Sequence, residues 1–186
     1  MQTNEHLARL AMECIATWST VESWMLNFYI NLAGGNKSDS AAMFLALDSS
    51  SAKSNALTPF IQKLDVRYQR LYAAVLKLLR SRQKSRDKLA HWVWGYSAEL
   101  PDSLLLADPR VMVTVDKTVH SYLLILAENV FVYREADFRK IIQNNEELAG
   151  YGFKLAWIIS GHIANRDDRL YVKLCQEPSI REILNR

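Results

Sequence analysis

Between Leu7 and Leu32, eight apolar residues recur in alternating steps of four and three: Leu7, Ala11, Cys14, Trp18, Val21, Met25, Phe28 and Leu32. An α-helix completes a turn every 3.6 residues, so this spacing aligns all eight along one narrow stripe. A strand alternates with period two and cannot do so. The stretch from Asn4 to Ala33 is therefore predicted to be one long helix with one buried face, and such a helix must pack against others. Thr3 or Asn4 offers a capping side chain at its start, and Gly34-Gly35-Asn36 ends it.

The helical period persists downstream. A short helix over Asp39 to Leu47 is expected behind Ser38, followed by a serine-rich turn at Asp48-Ser49-Ser50-Ser51. A second long pattern runs from Leu57 to about Trp92 through Ile61, Leu64, Tyr68, Leu71, Val75 and Leu78, with Pro59 near its beginning or at a kink. Its apolar seam stops at Arg82 and Ser85 and resumes at Leu89 and Trp92. From Val93 to Arg110 the texture changes. Gly95, Pro101 and Pro109, with the short runs Val93-Trp94 and Leu104-Leu105-Leu106, predict a small β-hairpin or loop excursion. Val111 to Glu128 fits strand or helix, and Asn129 to Tyr133 fits a short strand. A last long helix is expected from Ala136 to Ile163 with Phe138, Ile141, Leu148, Leu155 and Ile159 inward, then a terminal helix Ser179 to Leu184 behind Pro178. Six glycines and four prolines in 186 residues leave few breaks, and no repeat or linker divides the chain. The expected architecture is all-α: an antiparallel helical bundle with a small β-hairpin or loop excursion. It forms a single domain over 1–186, with its core at about 5–165 and a helical tail at 166–186.

Several classes are excluded. The longest uncharged stretch, Ser23 to Asn36, is fourteen residues, short of the roughly 18 that span a bilayer. The first residues carry no basic segment followed by an apolar one, so a soluble, cytoplasmic protein without membrane contact is expected. Cys14 and Cys175 lie far apart, and His6, His91, His120 and His162 show no His-x-x-x-His spacing. No metal site or cofactor is expected.

The 23 basic and 20 acidic residues give a net charge of +3, and its distribution is uneven. Arg80, Arg82, Lys84, Arg86 and Lys88 stand against Asp87 alone, a net of +4 over nine residues that leaves −1 for everything else. Two accounts fit this run. Basic helical faces are commonly solvated, and cations near a helix C-terminus interact favourably with its dipole. Alternatively the run binds a polyanion, because each neutralised phosphate releases a condensed counterion. Arg82 and Ser85 occupy positions where the apolar seam should continue, which calls for a bound anion, a carboxylate or a second subunit. His91 ends the run. Asp87 lies four residues before it on the same helical face, where a carboxylate can fix the imidazole tautomer. Arg86 lies five residues before His91, roughly 140° around the axis, so it meets His91 only through its long arm or from a second copy across a two-fold axis. Trp92 continues the seam and is read as core, and Trp24, Trp94 and Trp157 as core or interface aromatics. Glu22, beside Val21, is either a partner for Arg82 or Arg86 or a solvated rim residue. His162 with Arg166 fits a helix end or an anion site.

The hexapeptide Arg86-Asp87-Lys88-Leu89-Ala90-His91 resembles the signature of HEPN domains, the higher eukaryotes and prokaryotes nucleotide-binding superfamily: an arginine, a polar residue, three others, then histidine. Its surroundings are similar too: a first long helix carrying Trp18 and Glu22, and the motif at the end of a later one. Leu89-Ala90-His91-Trp92-Val93-Trp94-Gly95 resembles the ending of bacterial members, with Trp92 where glycine is frequent and Asp87 where asparagine is frequent. The resemblance covers about residues 5–165 and is concentrated in the hexapeptide. It implies an all-α bundle, a homodimer and, in many members, metal-independent cleavage of RNA at a composite site between two protomers. His91 is then the acid/base group for attack of a ribose 2′-hydroxyl on the adjacent phosphate. Arg86 stabilises the phosphorane, Asp87 orients the pair, and Arg80, Arg82, Lys84 and Lys88 hold the RNA. The products are a 2′,3′-cyclic phosphate and a 5′-hydroxyl. The resemblance also admits a toxin or defence role with an antitoxin partner, and non-catalytic members that bind RNA, a nucleotide or a protein.

Overall fold

The computed structural model describes residues 4–110, 129–163 and 168–186. The described chain is mostly helical. Helix α1 spans Glu5–Ala33, α2 Lys37–Leu45, α3 Ser50–Ile61 and α4 Val66–His91. Strands β1 (Val93–Gly95), β2 (Leu104–Ala107) and β3 (Val130–Tyr133) follow, and then α5 (Glu135–Ile163), α6 (Arg169–Gln176) and α7 (Pro178–Leu184).

Helix α1 forms as its stripe requires. Leu7, Ala11, Cys14, Trp18, Val21, Met25 and Phe28 are all buried, and Leu32 is half-buried. Asn4 caps it, its side chain accepting from the Leu7 amide at 3.1 Å. Gly34 and Gly35, at φ +66° and +68°, turn the chain where a side chain would be strained. Asn36 then starts α2, its side chain accepting from Ser38 N, so that helix begins two residues before the expected Asp39.

The pattern from Leu57 to Trp92 is two helices, not one. Thr58, Phe60 and Ile61 carbonyls accept from Gln62, Lys63 and Leu64, closing α3. Asp65 then opens α4, its carboxylate accepting from Arg67 N at 2.9 Å and its carbonyl from Gln69 N. Aspartate in that role satisfies amides that a continuous helix would bond internally. Pro59 accordingly lies near the end of α3 rather than at the start of a long helix or at a kink. The β excursion is larger than a hairpin. Its three strands form an antiparallel sheet in the order β1-β2-β3, with Trp94, Leu106 and Phe131 in register. The expected ambiguity at Val111 to Glu128 lies outside the described residues, as do His120 and Arg166.

The chain groups into two compact units. The first contains the described residues through Trp18 and those from Arg82 to Asn145. Its core joins Leu7, Leu10, Ala11 and Cys14 to Leu89, to Leu104 and Leu106 of β2, and to Phe138 and Ile141 of α5. Asn145, 1% exposed inside this unit, is satisfied: it donates to the Cys14 carbonyl and to Thr17 Oγ1, both at 3.1 Å. Arg134 N donates back to the Asp137 carboxylate at 2.8 Å, closing the first turn of α5.

The second unit holds residues Ser19 to Ser81 and those from Glu146 on. Trp24, Phe28 and Tyr72 stack in series with centroids 6.0 and 6.1 Å apart. Arg67 donates to Asp168 at 2.7 Å and lies over the rings of Tyr68 and Tyr171. Leu148, Leu155 and Ile159 of α5 are buried as expected, and Pro178 is the first residue of α7. Trp157 departs from the core reading: it is 76% exposed.

Candidate functional site

The end of α4 is fixed by what it buries. Leu89 is 1% exposed in the first unit's core, and the indole N–H of Trp94 donates to its main-chain carbonyl at 3.2 Å. That contact satisfies one of the acceptors a helix terminus leaves open. With Leu89 inward, a turn of about 100° per residue sets the others. Arg82, Ser85, Arg86 and Trp92 fall on the inner flank, and each is half-buried. Lys84 and His91 fall on the outer face and are exposed, as is Arg80 further up the same face.

Arg82 finds one partner on the main chain of α5, in addition to the kinds its position in the seam suggested. Its guanidinium donates to the main-chain carbonyl of Asn144 on α5. A helical carbonyl carries enough partial negative charge to accept such a bond from a cation. Arg80 lies near Tyr72, whose hydroxyl burial pushes up to about 12 while the Arg80 charge pulls the other way.

Arg86 and Asp87 are brought together: Arg86 Nη1 donates to Asp87 Oδ1 at 3.1 Å, with the two side chains 28% and 42% exposed. Arg86 Nε is buried and has no hydrogen-bond partner among the described residues. The sequence suggested that Asp87 would hold the His91 imidazole. The carboxylate engages Arg86 instead, because the guanidinium spans the gap between neighbouring helix positions and an ionised donor makes the stronger bond. His91 stands exposed at the last residue of α4, away from Arg86 around the axis, so one chain does not bring the two to a common point. Glu22 is half-buried on α1.

Lys88 leaves the solvated face. Its ammonium lies 3.7 Å from the ring centroid of Phe131 and 4.9 Å from that of Trp92, and the two rings are 5.3 Å apart. Trp92 is thus half core and half wall of an aromatic pair, packed beside Leu89 but reaching β3. Phe131 was not singled out in the sequence. Its run, Asn129 to Tyr133, signalled a strand, but only the sheet register brings that strand to the motif.

No helix among the described residues is long and apolar enough to cross a membrane. Comparison with protein-family models, curated proteins and solved structures gives no match for this chain.

Proposed function

We propose that this chain is a HEPN-like helical domain that cleaves RNA without a metal, at a composite site formed when two copies bring their Arg86-to-His91 segments face to face. One observation carries the reading. The basic end of α4 holds a partly shielded arginine clasped to Asp87, together with an exposed histidine at the helix terminus. The divergence of Arg86 and His91 around one helix favours a pair of copies, since each then supplies what the other's geometry lacks.

In the reaction, one His91 takes the proton of a ribose 2′-hydroxyl, and that oxygen attacks the adjacent phosphorus. The bond from phosphorus to O5′ breaks, and the departing oxygen takes a proton from His91 of the second copy. The products are a 2′,3′-cyclic phosphate and a 5′-hydroxyl. Imidazole suits both roles because it titrates close to neutral pH. Arg86 stabilises the charge that accumulates on the non-bridging oxygens. The assay is cleavage of a labelled single-stranded RNA in EDTA. His91→Ala and Arg86→Ala are each expected to lower the rate by about a hundredfold or more, and a single 2′-deoxy substitution at the cut is expected to block it. Undiminished cleavage in both variants overturns the proposal.

A second reading, RNA binding without cleavage, is favoured by the engagement of Asp87 with Arg86, which leaves His91 without the orienting carboxylate the motif suggested. It predicts salt-steep affinity, lost on replacing Arg82 and Lys84, with no cleavage products.

A further inference from the structure

The geometry points to a base-stacking subsite beside His91: the exposed ring of Phe131, backed by Lys88 and Trp92, receives an unpaired base of single-stranded RNA. This inference rests on the proposed RNA-directed function and deepens it by naming the form of the substrate. Phe131 is 43% exposed although it is a large apolar side chain on a short strand. Its backbone does not account for that exposure. Leu106 and Trp94, in register with it on the same face of the sheet, are fully and partly buried, so that face covers the core. Strand β3 is one of the two edge strands among the described residues, and Phe131 overhangs the core there.

Three contacts hold the overhanging ring in place. Lys88 sets its ammonium 3.7 Å from the ring centroid, Trp92 tilts against it at 60° with centroids 5.3 Å apart, and the strand pairs in register with β2. An exposed aromatic fixed in this way is a platform rather than a loose surface group. The exposed part of the ring offers contact to a flat π-system, and the neighbouring ammonium lies within reach of a phosphate belonging to the stacked nucleotide. Trp92 directly follows His91, and Lys88 precedes it by one helical turn, so the platform adjoins the acid/base group. The net +4 on Arg80 to Lys88 matches a polyanion, and the aromatic element selects one whose base faces are open. Bases in a duplex are already stacked on both faces, and the platform therefore prefers single strands.

The test uses the full chain carrying His91→Ala, which holds RNA without turnover, and a fluorescein-labelled single-stranded RNA of about ten nucleotides read by anisotropy. Replacing Phe131 with Leu preserves apolar volume and removes the ring. The expected loss is about tenfold in affinity, within the range for one base stacked on one aromatic side chain. Phe131→Tyr is expected to bind like the parent. An RNA scanned with single abasic sites gives a matching loss at one position without altering the protein, and that loss is expected to vanish in the Phe131→Leu background. Duplex RNA of the same length is expected to bind more weakly. If RNA binds but Phe131→Leu and every abasic site are indifferent, the subsite is wrong and the function stands. If the His91→Ala chain binds no RNA, the functional reading fails and the subsite with it.

Discussion

Replacing Gly152 with alanine tests the packing of the second unit where the α5 backbone meets the Trp24 indole. A Cβ built on Gly152 meets Trp24 Cδ2 at 2.3 Å and Cε2 and Cγ at 2.5 Å, where ordinary contact begins at 3.4 Å. The indole would have to retreat by about 1 Å, and Trp24 is only 1% exposed, with Phe28 against it. Overpacking of this kind costs about 1–3 kcal/mol, and three ring atoms inside the limit place it near the upper end. Opposing it is helix propensity, since alanine is favoured over glycine by about 1 kcal/mol in a helix interior. The net expectation is a destabilisation of about 2 kcal/mol. Gly150, two residues earlier in the same helix, has nothing within 4 Å of its hypothetical Cβ, so Gly150→Ala keeps the propensity gain alone. The two variants should therefore differ by about 3 kcal/mol, or about 6–12 °C in Tm for a chain of this size. The assay is urea unfolding followed by circular dichroism, with thermal melts alongside. A second arm repeats Gly152→Ala in a Trp24→Leu background, where the steric cost should disappear and leave alanine neutral or stabilising. Equal stability of the two alanine variants refutes the reasoning, and so does a cost that survives the loss of the indole.

Three further expectations follow from buried or paired groups. Burial, with a smaller contribution from Glu13, pushes the Cys14 thiol up to about 12, whereas Cys175 is half-exposed. A thiol reagent at pH 8 should therefore modify one cysteine promptly in the native protein and both in denaturant, and two fast native thiols would contradict the burial. Asn145→Ala removes two hydrogen bonds to α1 and opens a void, and should cost about 2–3 kcal/mol by urea unfolding; a loss below about 0.5 kcal/mol would mean the bonds do not form. Arg139, and then His6, hold the Glu135 carboxyl below the usual range. A depressed carboxyl stabilises the fold above its unfolded value and loses that contribution as pH falls through its folded one. The gap between the parent and Glu135→Gln should thus be small, full at pH 6, and closed as the pH falls below the usual carboxylate range. A gap that widens in acid would reverse the assigned sign.

What the sequence discloses depends on whether the deciding contact is local. The α1 stripe and the α5 inward positions are periodic over many turns, so their burial follows from spacing alone. The break at residues 62–65 is hidden in the sequence because Leu57, Ile61, Leu64 and Tyr68 keep a helical period straight through it. The competing signal was the Asp65 side chain, which caps a new start instead of decorating an old helix. Periodicity registers which residues face inward, not whether the backbone between them stays bonded. Trp157 illustrates the converse. Residue type left Trp157 as core or interface, and its place on α5, two after Leu155 and outside the buried line of Leu148, Leu155 and Ile159, takes it out of the core.

At the candidate site the same division holds. Arg86, Asp87 and His91 were legible as a constellation because they lie within one helix and their angles are arithmetic. Their pairing was not, since Asp87 had two neighbours to choose between, and reach rather than shared face decided it. Arg82 shows that a cation in an interrupted seam can also draw on backbone acceptors. A long helix running alongside offers main-chain carbonyls as acceptors, and the one at Asn144 takes a bond from Arg82. Lys88 and Phe131 lie more than forty residues apart in sequence and meet through sheet pairing, a relation that no motif or charge count on α4 contains. The functional weight of the basic run therefore shifts. Of its five cations, Arg82 is tied to backbone, Arg86 to Asp87 and Lys88 to aromatic rings, which leaves Arg80 and Lys84 as the exposed charges. A helix that binds an anion by charge alone would keep all five in water. This one sets three of them against groups of its own chain, beside the exposed His91 and the Phe131 ring.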